Sequence, residues 1–185
     1  MKSTTNTKKF VRREPPRMVL ATMTIAFVVV MINVSQIPRA SAEQMEIINA
    51  SREISAPVDE VWSIISDVDN ETQYWSTFKE IKNINKMGNI TEREVTISAG
   101  PQNNTSHQIV TLYPEQMKIQ TNLTQGLVTG SRILELEPVS DNKSKLDVLW
   151  NIDLTGIPLI GRGFAESGIK QTTEEALSRI AQAVE

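Results

Sequence analysis

The sequence predicts an α+β fold in which a seven-stranded antiparallel sheet packs on a long C-terminal helix. Seven short runs of alternating apolar and polar residues lie between residues 45 and 154. The last six runs are separated only by tight turns, which is typical of an antiparallel meander and not of a parallel sheet. From residue 164 onward the apolar residues recur with the period of an α-helix instead.

The domain is expected to begin with one strand and two short helices. Residues 45–55 alternate and are predicted to form the first strand. Pro57 is tolerated as a first helical residue. One buried helical face is predicted from the i, i+3, i+4, i+7 spacing of Val58, Val61, Trp62 and Ile65. A turn and a second short helix that ends near Trp75 are expected to follow.

Six strands and the long helix complete the order. The strands are predicted at residues 78–85, 91–97, 106–113, 117–123, 131–139 and 144–154. Residues 156–163 are expected to be a loop or a loose first turn, and residues 164–185 the helix. Its buried seam is predicted at Ala165, Ile169, Ala176, Ile180 and Val184, with Leu177 beside it.

The N-terminal part of the chain predicts export. Residues 1–17 carry six basic residues and one acid, Glu14. Met18–Ile37 is a run of twenty uncharged residues, enough to span a hydrocarbon core of about 30 Å. Because a basic flank stays cytoplasmic, residues 45–185 are expected outside. Residues 38–44 are a linker with an A-x-A cleavage pattern that ends at Ala42. Two alternatives stay open: a single-pass signal anchor in the cell membrane, or a signal peptide and a secreted domain.

Composition excludes several kinds of site. The chain has no cysteine and a single histidine, His107, so thiolate nucleophiles, disulfides and cysteine metal sites are excluded. Beyond residue 42 there are 12 basic and 21 acidic groups. This acidic balance argues against nucleic acid as a partner. No metal site, cofactor or catalytic constellation is predicted.

Asparagine sequons are more frequent than the composition gives by chance, which predicts an N-glycosylated surface. The alternative is a polar surface that forms sequons by accident. The candidate glycosylation sites are Asn49, Asn70, Asn89, Asn103, Asn122 and Asn142.

Three carboxylates follow the first short helix: Asp67, Asp69 and Glu71. Their spacing is similar to the start of a calcium loop. The required glycine is replaced by Thr72, however, and no glutamate follows at the right distance. We interpret this stretch as a helix end and a solvated turn.

The order of elements resembles the SRPBCC superfamily, which includes START-like and polyketide cyclase–coenzyme Q-binding-like proteins. The matching residues are SREISAPVDEVWSIISDVDNETQYW at 51–75, LYPEQMKIQ at 112–120, WNIDLTGIPLIGRG at 150–163 and IKQTTEEALSRIA at 169–181. The resemblance covers residues 45–183. It implies a helix-grip fold, in which a curved sheet grips the C-terminal helix around an apolar cavity. It also implies a hydrophobic ligand, because members bind lipids, isoprenoids, quinones or polyketides and only some are enzymes.

Strand parity selects the residues that face this cavity, because alternate side chains of a strand point to opposite faces. We expect Trp75 and Phe164 near the mouth, with Trp75 equally consistent with a core position. The candidate ligand-binding residues are Trp75, Val95, Ile97, Ile119, Thr121, Leu134, Leu136, Trp150, Phe164 and Ile169.

Three arginines, Arg52, Arg93 and Arg132, share the parity of the inward-facing residues. We expect them to lie near strand ends and to reach water through their long side chains. The alternative is that they supply a counter-charge for an acidic head group or polarise a carbonyl.

Three functions remain open from the sequence. The first is a binding or carrier domain for a hydrophobic small molecule outside the cytoplasmic membrane. The second is a structural or interaction domain with a filled core. The third is an enzyme similar to polyketide cyclases and dehydratases. The sequence identifies neither the ligand nor the oligomeric state.

Overall fold

One antiparallel sheet of seven strands forms the body of the domain. The computed structural model describes residues 45–99 and 102–185. The predicted basic segment 1–17, hydrophobic helix 18–37 and linker 38–44 lie outside the described residues. The strands are β1 (Met45–Ile54), β2 (Phe78–Met87), β3 (Ile90–Ala99), β4 (Gln102–Tyr113), β5 (Lys118–Gln125), β6 (Thr129–Ser140) and β7 (Lys143–Asp153).

The strand order is β1-β7-β6-β5-β4-β3-β2, with every neighbouring pair antiparallel. Strands β2 to β7 form the predicted meander. Strand β1 pairs with β7 at the other edge, because helix α1 (Val58–Ile65) and a 3₁₀ helix (Val68–Gln73) carry the chain across the sheet before β2 begins. The predicted order of elements and the antiparallel sheet packed on a C-terminal helix are confirmed.

The long helix α2 spans Leu159–Val184 and so begins five residues before its predicted start at residue 164. Two features explain why the sequence pattern did not predict this first part of the helix. Gly161 and Gly163 are weak helix formers. Leu159 and Ile160 are largely exposed to solvent, so their apolar side chains do not follow the spacing of a buried face. Among the described residues, no helix is both long and apolar enough to cross a membrane.

The hydrophobic core lies between the concave face of the sheet, α1 and the C-terminal half of α2. In α2 the fully buried residues are Thr173, Ala176, Leu177, Ile180 and Ala181. The other predicted seam residues, Ala165, Ile169 and Val184, are only half-buried. The helix therefore packs tightly along its second half and more loosely along its first half.

The strand residues whose side chains face the core are those that the alternation of apolar and polar residues predicts. Buried side chains in β3, β5, β6 and β7 include Val95, Ile119, Thr121, Leu134, Leu136, Val148, Trp150 and Ile152. Ile97 is half-buried. Trp62, predicted as a core residue, is also half-buried and packs against the edge of the core.

Gly130 is the position in the sheet that requires glycine. Its φ of 120° is rare for other residues, and a Cβ there would lie 2.3 Å from the carbonyl oxygen of Asn151 in β7. We expect Gly130→Ala to lower the free energy of unfolding by more than about 1 kcal/mol. Gly163→Ala is the control, because a Cβ at Gly163 meets no atom within 4 Å. That change should raise stability by about 1 kcal/mol. Chemical denaturation of both variants tests this, and equal effects would contradict it.

Candidate functional site

A cavity of about 480 Å³ lies between the concave face of the sheet and the first half of α2. Its walls come from the ends of β3 and β5, the start of β4, the segment between β5 and β6, and the region that joins β7 to α2. The lining is mainly apolar. Its most deeply buried polar residues are Ser106 and Gln108 on β4. None of the described lining residues carries a carboxyl, imidazole or amino group.

Five of the ten candidate ligand-binding residues line the cavity: Trp75, Ile97, Trp150, Phe164 and Ile169. The other five are buried but do not line it: Val95, Ile119, Thr121, Leu134 and Leu136. The parity of a residue tells which face of the sheet its side chain lies on, but not whether that part of the face borders the cavity. Helix α1 and the second half of α2 fill one end of the concave face, so the hollow remains only at the other end.

Three aromatic side chains form the inner wall of the cavity. The rings of Trp75 and Phe78 are stacked with their centroids 5.8 Å apart, and the rings of Trp75 and Trp150 meet edge to face at 5.8 Å. Trp150 Nε1 donates a hydrogen bond to Thr173 Oγ1 of α2 at 3.0 Å. This bond fixes the Trp150 ring between sheet and helix. Trp75 is thus both a core residue, only 2% exposed, and part of the cavity wall.

Behind this wall lies a buried ion-pair network. Glu71, on the 3₁₀ helix, accepts hydrogen bonds from Arg93 of β3 and from Arg132 of β6, the latter at 2.5 Å. Glu71 is 4% exposed, Arg93 is inaccessible and Arg132 is 1% exposed. The expectation that Arg93 and Arg132 reach water is therefore wrong, and so is the interpretation of Glu71 as part of a solvated turn. Each charged group is buried because an opposite charge and hydrogen bonds replace its water.

The two arginines differ in how fully their donors are used. Arg93 donates through Nη1 to the Val68 carbonyl at 2.8 Å, and through Nε and Nη2 to Gln108 Oε1 at 3.2 and 2.9 Å. Arg132 donates only through Nη2, to Glu71 and to Thr121 Oγ1 at 3.4 Å. Its Nε and Nη1 atoms have no hydrogen-bond partner among the described residues.

Electrostatics keep Glu71 ionised in spite of its burial. Burial by itself raises the pKa of the Glu71 carboxyl, but the charges of Arg132 and Arg93 and their hydrogen bonds outweigh this, and the pKa lies below its ordinary value. Burial lowers the pKa of Arg132, against the attraction of Glu71. An arginine remains protonated at neutral pH all the same.

The sequence contained a signal for Glu71 that the calcium-loop comparison overlooked. Val68 and Trp75, three residues before and four residues after Glu71, are apolar and both are buried. At helical spacing these positions share one face, so Glu71 faces inward with them. Asp67, which precedes the 3₁₀ helix, and Asp69, which lies within it, are both exposed. Asp69 accepts hydrogen bonds from Asn83 at 2.9 Å and from Lys86 at 3.3 Å.

The remaining candidates lie at the surface. Arg52 is exposed, as expected. His107 lies within β4, with its Nε2 atom 3.5 Å from Glu94. Of the six candidate glycosylation sites, Asn122 is half-buried. The other five are exposed: Asn49, Asn70, Asn89, Asn103 and Asn142. Among the residues that the structure describes, no cluster of three or more histidine, aspartate and glutamate side chains is placed to hold a metal ion.

The outer part of the cavity is bordered by exposed apolar residues at the start of α2. Leu159, Ile160 and Phe164 are 80%, 89% and 82% exposed, and Leu127 in the segment between β5 and β6 is 41% exposed. Phe164 and Leu127 also line the cavity. Groups of large exposed apolar side chains are unusual on the surface of a soluble protein and are typical of contact or ligand-binding regions.

Comparison with known proteins identifies the family. The family model described as "Polyketide cyclase / dehydrase and lipid transport" matches residues 45–185. Among curated proteins, none matches the sequence significantly.

Solved structures share the fold at low sequence identity. The protein TTHA0849 from Thermus thermophilus is 16% identical with a TM-score of 0.67, over 75% of this chain and 97% of that protein. The Zhui aromatase/cyclase from Streptomyces sp. R1128 is 13% identical with a TM-score of 0.69, over 76% and 94%. A START superfamily protein from Mycobacterium smegmatis is 19% identical with a TM-score of 0.58, over 74% and 92%. These neighbours consist almost wholly of this one domain. We therefore expect residues 45–185 to fold without the rest of the chain.

The buried network leads to a prediction about stability. We expect Glu71→Gln to lower the free energy of unfolding by about 3–5 kcal/mol at pH 7, because the two arginine charges then lose their buried partner. Asp69→Asn is the control. Its carboxylate is 43% exposed, so its loss should cost less than about 1 kcal/mol. Denaturation of both variants in urea measures the difference.

The pH dependence of the free energy of unfolding distinguishes an effect of the Glu71 charge from an effect of the shape of its side chain. Because the folded-state pKa of Glu71 lies below its unfolded value, the ionised carboxylate stabilises the fold fully above the unfolded pKa. This contribution is lost as the pH falls through the folded pKa. The stability difference between wild type and Glu71→Gln should therefore shrink in acid. A difference that stays constant from neutral to strongly acidic pH would mean that side-chain shape, not charge, is responsible.

Proposed function

The chain belongs to the polyketide cyclase/dehydrase and lipid transport family, and we propose that residues 45–185 bind and carry a hydrophobic small molecule of the lipid, isoprenoid or quinone class. The cavity is the observation that carries this proposal. Its volume of about 480 Å³ lies within the range of about 300–1,000 Å³ that is usual for small-molecule sites. Its mainly apolar lining favours a ligand that is largely hydrocarbon.

The composition of the cavity favours binding over catalysis. General acid–base chemistry needs a titratable side chain within hydrogen-bond reach of the substrate. The polar groups of the described lining are hydroxyls and amides, such as those of Ser106 and Gln108. The likeness to an aromatase/cyclase concerns the fold alone and does not transfer that reaction to this chain. An unfilled hollow of this size also weighs against a purely structural domain.

We place the carrier outside the cytoplasmic membrane, held there by residues 18–37 or released after cleavage at Ala42. The uncharged run and its basic flank support this location. The exposed residues Leu159, Ile160 and Phe164 beside the cavity suit the exchange of an apolar ligand with a bilayer surface. The described domain begins at Met45, which pairs with Asp153, and Asp153 leads directly towards the start of α2. Strand β1 thus begins at the end of the sheet where β7 leads towards these apolar residues.

Ligand binding is testable by tryptophan fluorescence of the isolated domain 45–185. Adding 1-decanol or 1-dodecanol should change the emission in a saturable way, because Trp75 and Trp150 line the cavity. Each added methylene should improve affinity by about fourfold until the cavity is full, since its burial contributes about 0.8 kcal/mol. Trp75→Phe and Trp150→Phe should each reduce the change. Trp62→Phe is the matched control and should leave it intact. If neither an alkanol nor a fatty acid of eight carbons or more binds, the carrier function is wrong.

Protease treatment of intact cells tests the location. An exported domain should be digested without lysis, whereas protection until lysis would contradict export. N-terminal sequencing of the exported protein then distinguishes an uncleaved anchor from cleavage after Ala42.

Peptide mass mapping of the same material should detect sugar increments at Asn49, Asn70 or Asn142. An unmodified mass would reduce the sequons to a feature of composition.

A further inference from the structure

The network behind the cavity wall leaves one positive charge unbalanced. Arg93 and Arg132 are permanently protonated, and Glu71 is the single carboxylate that pairs with both among the described residues. Asp69 is the other carboxylate whose charge interacts with Arg93, but it is hydrogen-bonded to Lys86 at 3.3 Å and so contributes no surplus negative charge. The interior of the domain therefore carries a net charge of one positive unit beside the cavity.

A structural role accounts for every donor of Arg93 but for only some of the donors of Arg132. All three guanidinium nitrogens of Arg93 are hydrogen-bonded, and they join β3 to the 3₁₀ helix and to Gln108 of β4. Arg132 is just as deeply buried, yet its Nε and Nη1 have no partner within the described part of the chain. Buried donors in folded proteins are almost always paired. Arg132 thus has charge and donors in excess of what the fold uses.

The excess charge lies directly against the cavity wall. The guanidinium carbon of Arg132 is 4.4 Å from the ring centroid of Trp75, 5.5 Å from that of Trp150 and 5.8 Å from that of Phe78. All three rings line the cavity. The ring faces attract the cation, which holds Arg132 in place without cancelling its charge. In this water-poor region a charge acts on a neighbouring ligand much more strongly than it does in water.

We propose that the cavity selects an amphiphile whose polar group is an anionic oxygen group, such as a carboxylate, with its hydrocarbon part in the apolar cavity. This inference rests on the proposed function and specifies its ligand class. The charge of Arg132 balances the anion. Gln108 supplies a donor, because its Oε1 accepts from Arg93 while its Nε2 has only the Ser106 hydroxyl, at 3.4 Å, as a partner among the described residues. Gln108 and Ser106 both line the cavity.

Three ligands of equal chain length test the proposal on the wild-type domain. Decanoate, 1-decanol and decylamine are compared at pH 7.5 by tryptophan fluorescence and calorimetry, at concentrations below those at which they aggregate. We expect decanoate to bind at least about tenfold more tightly than 1-decanol, which corresponds to about 1.4 kcal/mol. Protonated decylamine should bind most weakly. Decylamine binding as tightly as decanoate would overturn the proposal.

Arg132→Met removes the charge and keeps an unbranched apolar side chain, while Glu71 stays paired with Arg93. In this variant the preference for decanoate over 1-decanol should fall to within about twofold, and 1-decanol itself should still bind. A variant that folds, as judged by circular dichroism, and keeps the tenfold preference would overturn the role of Arg132. If the variant does not fold, the wild-type comparison decides.

The outcomes also separate this inference from the function on which it rests. If 1-decanol binds and decanoate binds no better, the anion preference is wrong and the carrier function stands. If none of the three ligands binds, both are wrong.

Discussion

The ion pairs of Glu71 are the constraint on which the rest of the structure depends. One carboxylate on a short 3₁₀ helix holds arginines from β3 and β6, two strands that are separated by β4 and β5 in the sheet. The 3₁₀ helix is thereby fixed over the concave face of the sheet, and so are Trp75 and Phe78, which follow it. Because the network is buried, removing one charge leaves the others without compensation. The aromatic wall of the cavity thus depends on an electrostatic contact that does not itself line the cavity.

The cavity exists because α2 packs unevenly along its length. Its second half presents small and branched residues, including Ala176, Ile180 and Ala181, which pack closely with the rest of the core. Its first half carries Gly161, Gly163 and Gly168 and turns its largest side chains to solvent. Glycine stabilises a helix less than alanine by about 1 kcal/mol per residue. The part of the helix that covers the cavity is therefore the part with the weakest intrinsic preference for helix.

A largely apolar cavity with a buried positive charge behind its wall combines two requirements of a carrier. Hydrocarbon contact supplies most of the affinity, in proportion to the apolar area removed from water. A single charge contributes less affinity but distinguishes one head group from another, because specificity is a difference between two binding free energies. The same division fits the two buried polar residues of the lining, Ser106 and Gln108, because hydrogen bonds connect them to each other and to Arg93 of the ion-pair network.

The sequence by itself determined the order of elements, the antiparallel meander and the inward face of each strand. These properties follow from short-range periodicity, and periodicity is written directly in the chain. Tertiary structure alone decided which inward residues line a cavity, as with Trp150, and which fill the core, as with Leu134. It also decided that Glu71 meets Arg93 and Arg132, which are 22 and 61 residues away along the chain. Parity placed both arginines on the inner face, but a buried charge is tolerated only where a partner is present. That partner comes from a distant segment whose approach depends on the packing of the whole domain.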